Sequence, residues 1–232
     1  MIGASQTEVG PLAFSEATFE FLAGLEANNS KQWFEDNRSA YEDHWKAPAL
    51  DFIAGISGRM AGLEPPLQAA PKLNGSLRRI NRDVRFSKDK SPYNARLHTI
   101  FWAGDHPNRS PAMHFVLQPD GVGFGAGQWA IEHAALAQLR SRIVSDADGN
   151  RLIDAIALAA NTGARIGEPD LARLPKGFKA DGERAELLRH KGFVVRTHDK
   201  PAPKSKMIGK GAEEWAMKTT EAFLPLIRWL VA

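Results

Sequence analysis

The sequence predicts an α+β fold in a single domain: a small antiparallel sheet with a central hairpin, packed by N-terminal and C-terminal helices. Two observations predict this arrangement. Apolar residues recur at helical spacing near both ends of the chain. Between them, two strand-forming stretches flank Pro119-Asp120-Gly121, where proline presets a turn and glycine can complete it. We therefore predict a flexible leader over residues 1–13 and one α+β domain over residues 14–232.

The N-terminal part is predicted to be helical. A first helix begins near Ser15, which can cap it, and ends at Asn28 and Asn29. Ser30 can cap a second helical stretch. The apolar face of that stretch is aromatic: Trp33, Phe34, Tyr41 and Trp45. Such a stripe is usually core, although aromatics beside a basic face can also stack on bases. Pro48 is expected to kink this stretch or to begin a new helix, because proline lacks an amide donor.

The strands are predicted in the middle of the chain. Residues 97–104 are rich in strand formers, and Met113 to Gln128 is predicted to be the hairpin. Its second strand carries Gly123, Gly125 and Gly127 at alternate positions. Bare positions on a strand allow a neighbouring segment to approach closely, and we favour that interpretation. The alternative is a ligand lying across the bare face beside the arginines.

The C-terminal half is predicted to return to helix. One helix is expected over residues 131–149, a second over residues 150–163, and a last one from Ala212 to Leu230. Residues 166–210 are predicted to be irregular. The residues expected to anchor this irregular stretch in the core are Leu174, Pro175, Phe178, Leu187, Leu188, Phe193 and Val195.

Composition excludes several classes of function. The chain has no cysteine, which excludes disulfides, thiolate nucleophiles and cysteine metal sites. Thirty basic and twenty-seven acidic residues give a net charge of +3, milder than a dedicated nucleic-acid binder usually carries. No apolar run approaches the ~20 residues that span a bilayer, and the first residues lack the features of a signal peptide. We predict a cytoplasmic protein without a membrane partner; its oligomeric state stays open.

The strongest functional lead is the basic segment, Arg78 to Arg96. It contains seven arginines and lysines but only two carboxylates, Asp83 and Asp89. Guanidinium stays charged, and its planar fork fits carboxylate or phosphate. Two carboxylates cannot neutralise seven cations, so the remaining cations must face water, distant carboxylates or an anionic ligand.

Two geometries are open for the basic segment. An extended chain would put Arg79, Asp83 and Arg85 on one face, whereas a helix would align Arg79, Arg82 and Asp83. Both place Asp83 beside an arginine, so we interpret Asp83 as an ionised orienter of arginines. The resulting hypothesis is a site for an anionic, phosphate-bearing small molecule. Its residues are Arg79, Arg82 and Arg85 as the clamp, Asp83 as the orienter, and Lys90 and Tyr93 as secondary contacts.

Two alternatives to the small-molecule site remain. The same basic surface, with exposed aromatics, could bind nucleic acid, which we do not favour. The arginines could also form a purely structural ion-pair network, with the function elsewhere. The sequence leaves open whether any reaction follows binding.

The motif Arg79-x-x-Arg82-Asp83-x-Arg85-Phe86, followed by Asp89-Lys90-x-x-Tyr93, resembles the signature of a bacterial family described only as a domain of unknown function. The resemblance covers the chain from about Phe14 to Leu230. Other segments similar to the family's patterns are Asn28-Asn29, Trp33-Phe34, Arg38 and Gly125-Ala126-Gly127-x-Trp129. The resemblance implies no established activity, substrate or cofactor.

Neither a metal site nor a cofactor is predicted. The seven histidines form no His-x-His, His-x-x-x-His or His-Glu-x-x-His pattern. His98 and His114 fall on strands that could be neighbours, but a core histidine is commoner than a ligand. The stretch from Asp146 to Asn150 only superficially resembles a calcium loop, and we predict a turn that caps the next helix.

Overall fold

The computed structural model describes residues 14–197 and 200–232. The leader predicted over residues 1–13 lies outside the described residues. Helices make up the first quarter of the described chain. They are α1 (Glu16–Ala27), α2 (Lys31–Asp36), α3 (Arg38–Ala40), a π-helical segment (Tyr41–Lys46) and α4 (Ala47–Ala61).

The predicted starts of the first two helices are confirmed. The Ser15 backbone amide donates to Thr18 Oγ1 at 3.4 Å at the start of α1. Ser30 Oγ accepts a hydrogen bond from the Trp33 amide at 3.2 Å and so caps α2. Pro48 lies in the first turn of α4, which continues directly from the π-helical segment, because Lys46 and Ala47 both have right-handed helical dihedrals. The change from π-helical to α-helical bonding therefore falls at the proline, which has no amide to donate.

The sheet is antiparallel throughout, in the strand order β1-β2-β3-β5-β4. Its strands are β1 (Leu97–Trp102), β2 (Ala112–Gln118), β3 (Gly121–Gln128), β4 (Arg165–Ile166) and β5 (Phe193–Arg196). Strands β2 and β3 form the predicted hairpin, turning at Pro119 and Asp120. The predicted α+β fold with a small antiparallel sheet is confirmed.

Helices dominate the rest of the chain. They are α5 (His133–Val144), α6 (Asp146–Ala160), α7 (Gly182–Leu188), α8 (Ala212–Val231) and two short 3-10 turns (Lys204–Lys206 and Gly209–Gly211).

Three sequence predictions need correction in this half of the chain. Residues 166–210 are not wholly irregular, because they contain α7 and β5. Strand β5 has only four residues, and it is held by pairing on both sides, with β3 and β4. Helix α6 begins at Asp146 rather than at Asn150, so two aspartates lie in its first turn, where the helix dipole favours negative charge. Leu174 is 39% exposed and does not anchor the core.

The sheet packs one face against α4 and α8. Side chains alternate along a strand, and this inner face carries buried phenylalanines. The Phe52 ring of α4 lies 6.3 Å from the Phe115 ring, and the Phe223 ring of α8 lies 6.1 Å from the Phe124 ring. The predicted aromatic stripe also contributes to this core, with Tyr41 and Trp45 buried.

The opposite side of the sheet, here called the outer face, carries the alternating residues. In registered rows across β1, β2, β3 and β5 they include His98, Val116 and Gly123, then Ile100, His114, Gly125 and Arg196, then Trp102, Ala112, Gly127 and Val194.

Two of the three alternating glycines are required by close approach of β5. A Cβ added at Gly125 would lie 2.4 Å from the Arg196 Cβ, and one added at Gly127 would lie 1.9 Å from the Phe193 carbonyl oxygen. Gly127 also has a φ of +141°, a conformation that favours glycine. The favoured interpretation of these glycines therefore holds. At Gly123 the nearest atom to an added Cβ would be Thr197 Oγ1 at 3.4 Å, so the outer face is more open there.

Candidate anion-binding site

The basic segment folds as a hairpin-like loop, which is neither the extended strand nor the helix considered from the sequence. The Asn94 amide donates to the Ile80 carbonyl at 2.7 Å, and the Arg82 amide donates to the Pro92 carbonyl at 2.9 Å. These bonds close the loop near its base and leave residues 83–91 as its tip.

Long-range contacts anchor this loop to the N-terminal helices. The Tyr93 ring stacks on the Phe34 ring with centroids 4.3 Å apart. The Asn29 side chain donates to the Tyr93 carbonyl at 2.9 Å and accepts from the Tyr93 amide at 3.1 Å. Tyr93 is buried, so it lies against the core rather than at the rim of a site.

Arg82 is occupied within the loop. Its guanidinium pairs with Asp89 and donates to the Ser91 carbonyl at 3.1 Å. Asp89 also accepts from the Ser91 hydroxyl at 2.6 Å and from the Ser91 amide at 2.9 Å. The Ser91 hydroxyl, the Ser91 amide and Arg82 together hold the pKa of Asp89 well below its ordinary value. The loop therefore contains an ionised carboxylate that fixes Arg82.

Asp83 lies beside an arginine, as both geometries considered from the sequence required, and that arginine is Arg85. Arg85 Nη2 donates to Asp83 Oδ2 at 2.7 Å, and Arg85 Nε donates to Asp83 Oδ1 at 3.0 Å. Hydrogen bonds from Arg85, with a smaller contribution from the Arg79 charge, lower the pKa of Asp83. Lys90 Nζ donates to the Val84 carbonyl at 3.0 Å. The predicted residues thus share one loop, but several of them are bonded to the loop itself.

Both ends of the loop reach the outer face of the sheet. The Arg78 amide donates to the His98 carbonyl at 2.9 Å, at an isolated bridge that pairs Leu77 with Thr99. Arg96 directly precedes β1. The loop therefore begins and ends beside the first strand, next to a cavity in the outer face.

This outer-face cavity has a volume of about 470 Å³. Its floor is the sheet, and its lining combines cations, histidines and bare backbone. The lining residues are Arg96, His98, His114, Val116, Gln118, Gly123, Phe124, Gly125, Gly127, Trp129, Val194, Arg196 and Thr197.

A histidine pair lies in the cavity. His98 Nε2 and His114 Nδ1 are 2.8 Å apart, as neighbouring strands allow. Burial, with the added charges of Arg78 and Arg96, lowers the pKa of His98 to about 4. Burial, with His98 and Arg78, lowers the pKa of His114 to about 3. Both rings are therefore neutral near pH 7.

Because both rings are neutral, the hydrogen-bonding groups that the histidine pair offers to the cavity can be derived. Each neutral imidazole has one N–H and one acceptor nitrogen, and the short contact uses one of each. His98 Nδ1 and His114 Nε2 are left, and one of them carries an N–H while the other is an acceptor. The pair can donate one hydrogen bond to a ligand in either tautomer.

The charged residues that line this cavity are arginines. Within residues 14–197 and 200–232, no hydrogen bond or ion pair joins Arg96 or Arg196 to a carboxylate, and no described lining residue is acidic. Arg78 adds a third cation at the edge, where burial lowers its pKa. Two arginines without carboxylate partners flank a neutral histidine pair.

The sequence pointed to this cavity only in part. Arg96 belongs to the basic segment, and the two histidines were expected on neighbouring strands. Arg196 gave no signal, because β5 was not predicted and its side chain reaches the cavity only through the pairing of β5 with β3.

Within residues 14–197 and 200–232, no group of three or more histidine, aspartate or glutamate side chains is placed to hold a metal ion. No helix in that part of the chain is both long enough and apolar enough to cross a membrane.

Comparison with known proteins places the chain in a family. A family model described as "Conserved hypothetical protein (DUF2461)" matches residues 17–229, which is most of the chain. Searches of curated proteins and of solved structures each found no match. The resemblance to an uncharacterised family is confirmed.

Proposed function

The chain belongs to this family of conserved hypothetical proteins, and we propose that it binds an anionic, phosphate-bearing small molecule in the outer-face cavity. One observation supports the proposal above the others. Arg96, directly before β1, and Arg196, at the end of β5, both line the cavity without carboxylate partners among the described residues. Both side chains are exposed, and a guanidinium without a carboxylate partner offers its N–H fork to an anionic ligand.

The chemistry of the lining suits phosphate. Guanidinium forks bind phosphate oxygens at two points, which adds geometry to charge. The outer N–H of the His98–His114 pair donates one further hydrogen bond, and the Gln118 amide offers another donor. A bound anion would raise the low pKa values of the two histidines, because a nearby negative charge favours the protonated ring.

The loop residues have a supporting role in this proposal. The Arg82–Asp89 and Arg85–Asp83 pairs hold the loop whose ends carry Arg78 and Arg96 to the cavity. A clamp of Arg79, Arg82 and Arg85 with Asp83, Lys90 and Tyr93, as predicted from the sequence, remains the alternative anion site.

A single domain over residues 14–232 and a cytoplasmic location belong to the same proposal. The cysteine-free composition is consistent with a reducing compartment.

A thermal-shift series tests the function. Phosphate, sulfate, sugar phosphates, nucleotides and carboxylates are compared at low ionic strength, with chloride as the control anion. We expect phosphate-bearing ligands to raise the melting temperature as the logarithm of their concentration, because only the folded state binds them. If no phosphate-bearing ligand shifts the melting temperature at millimolar concentration, the proposal is wrong.

One observation favours a second candidate, nucleic-acid binding by the loop tip. Phe86 is 95% exposed, and the Arg85 guanidinium lies 5.9 Å from its ring. Exposed aromatics beside cations stack on bases of single strands. If this candidate is right, the protein binds a single-stranded oligonucleotide, and the affinity falls steeply as the salt concentration rises. The same binding is lost in the variant Phe86→Ala.

A further inference from the structure

Trp129 is the feature of the cavity that phosphate binding does not use. It is 75% exposed, while the other five tryptophans of the chain, all in the described part, are buried or half-buried. Within residues 14–197 and 200–232 its indole makes no hydrogen bond and no ring contact. A large aromatic ring left in water at the edge of a cavity is a candidate ligand contact.

The backbone beneath this ring is tightly held. A Cβ added at Gly192 would lie 2.0 Å from the Trp129 carbonyl oxygen, so the backbone directly before β5 packs closely against the backbone of Trp129. The preceding side chain is also fixed, since Gln128 Nε2 donates to the Arg109 carbonyl at 2.6 Å. Trp129 is therefore an exposed ring on a fixed backbone rather than part of a loose loop.

Trp129 stands in the wall between two cavities. The second cavity, of about 520 Å³, shares Trp129, Val194 and Arg196 with the outer-face cavity. Its lining differs in charge, because Glu168 and Asp170 contribute carboxylates there. The two cavities adjoin at these shared residues. Arginines line the first, whereas the second combines Glu168 and Asp170 with Lys191 and the shared Arg196.

Resting on the proposed function, we infer that the ligand carries a flat heterocyclic ring as well as a phosphate, as a nucleoside 5′-monophosphate does. The phosphate lies between Arg96 and Arg196, and the ring stacks on Trp129. Stacking on an aromatic side chain is tolerant of base identity because every base has a π-face. The carboxylates of Glu168 and Asp170 accept hydrogen bonds from hydroxyl or amino groups of the same ligand.

Calorimetric titration with three probes tests the inference: inorganic phosphate, ribose 5-phosphate and adenosine 5′-monophosphate. The parent protein is expected to bind the nucleotide about tenfold more tightly than ribose 5-phosphate. A factor of about ten is the gain in affinity expected when one base stacks on an aromatic side chain. Trp129→Ala should remove that difference while leaving the affinity for ribose 5-phosphate unchanged. Trp129→Phe should retain part of it, because phenylalanine still offers a ring.

Phe86→Ala is the matched control, since it removes the other highly exposed aromatic of residues 14–197 and 200–232 and lies outside the lining of both cavities. The nucleotide preference should survive in this variant; its loss there would place the base on the loop tip and overturn the role of Trp129. Equal affinity of the parent for nucleotide and ribose 5-phosphate, or no effect of Trp129→Ala, would overturn the inference and leave phosphate binding standing. Failure of all three probes would overturn both.

Discussion

Acidification from pH 6.5 to pH 4 is expected to destabilise the protein by roughly 3 kcal/mol or more through the His98–His114 pair. In the unfolded chain a histidine titrates near 6.5, whereas in the folded state the pKa of His98 is about 4 and that of His114 about 3. Between pH 6.5 and pH 4 the unfolded state therefore binds more protons than the folded state does. The neutral histidine pair therefore makes its full contribution to the free energy of unfolding above about pH 6.5. This contribution is lost as the pH falls towards 4.

The measurement is urea unfolding at a series of pH values, in parent and variant. The double variant His98→Gln/His114→Asn places amide groups near the two bonded ring nitrogens and removes both titrations. Its stability should fall less steeply than that of the parent between pH 6.5 and pH 4. His133→Gln is the matched control for losing an imidazole, because His133 is exposed at the start of α5. Parallel profiles for parent and double variant would contradict a buried neutral pair.

Replacing Arg96 and Arg196 together with alanine is expected to weaken phosphate binding by about 100-fold or more. Each guanidinium supplies charge-assisted hydrogen bonds worth about 1.5–3 kcal/mol, and roughly 1.4 kcal/mol is a factor of ten in affinity. Arg196→Lys should fall between the parent and Arg196→Ala, because lysine keeps the charge but loses the two-point fork. The readout is calorimetric titration with inorganic phosphate at fixed low salt.

Arg79→Ala/Arg85→Ala is the matched control for this experiment. Both residues are exposed, both belong to the basic segment, and both are members of the clamp predicted from the sequence. The control removes the same net charge as the cavity variant and should change affinity by no more than about twofold, because neither Arg79 nor Arg85 lines the cavity. The opposite ranking of the two double variants would assign the anion to the loop and exclude the cavity.

The sequence predicted most of the fold because local chemistry decides it. Ser15 and Ser30 begin helices by capping, and Pro119 with Gly121 sets the turn of the hairpin. Strand β5 escaped prediction because four residues carry too little pattern. Its position depends on Gly125 and Gly127, which allow the approach from a distant part of the chain.

The site was predicted less well for the same physical reason. The composition of the basic segment is visible in the sequence, but its conformation is set by Asn29 and Phe34, which contact Tyr93 across 64 and 59 positions of chain. Local spacing therefore could not show that Arg82 is bonded to Asp89. Nor could it show that Arg196 reaches the same cavity as Arg96.

A crystal structure with tungstate, a tetrahedral oxyanion detected by its anomalous scattering, tests the central claim most directly. Anion binding in the outer-face cavity predicts an anomalous peak within hydrogen-bond distance of the guanidinium groups of Arg96 and Arg196, beside His114. A peak among Arg79, Arg82 and Arg85 with an empty cavity, or no peak in either place, would contradict it.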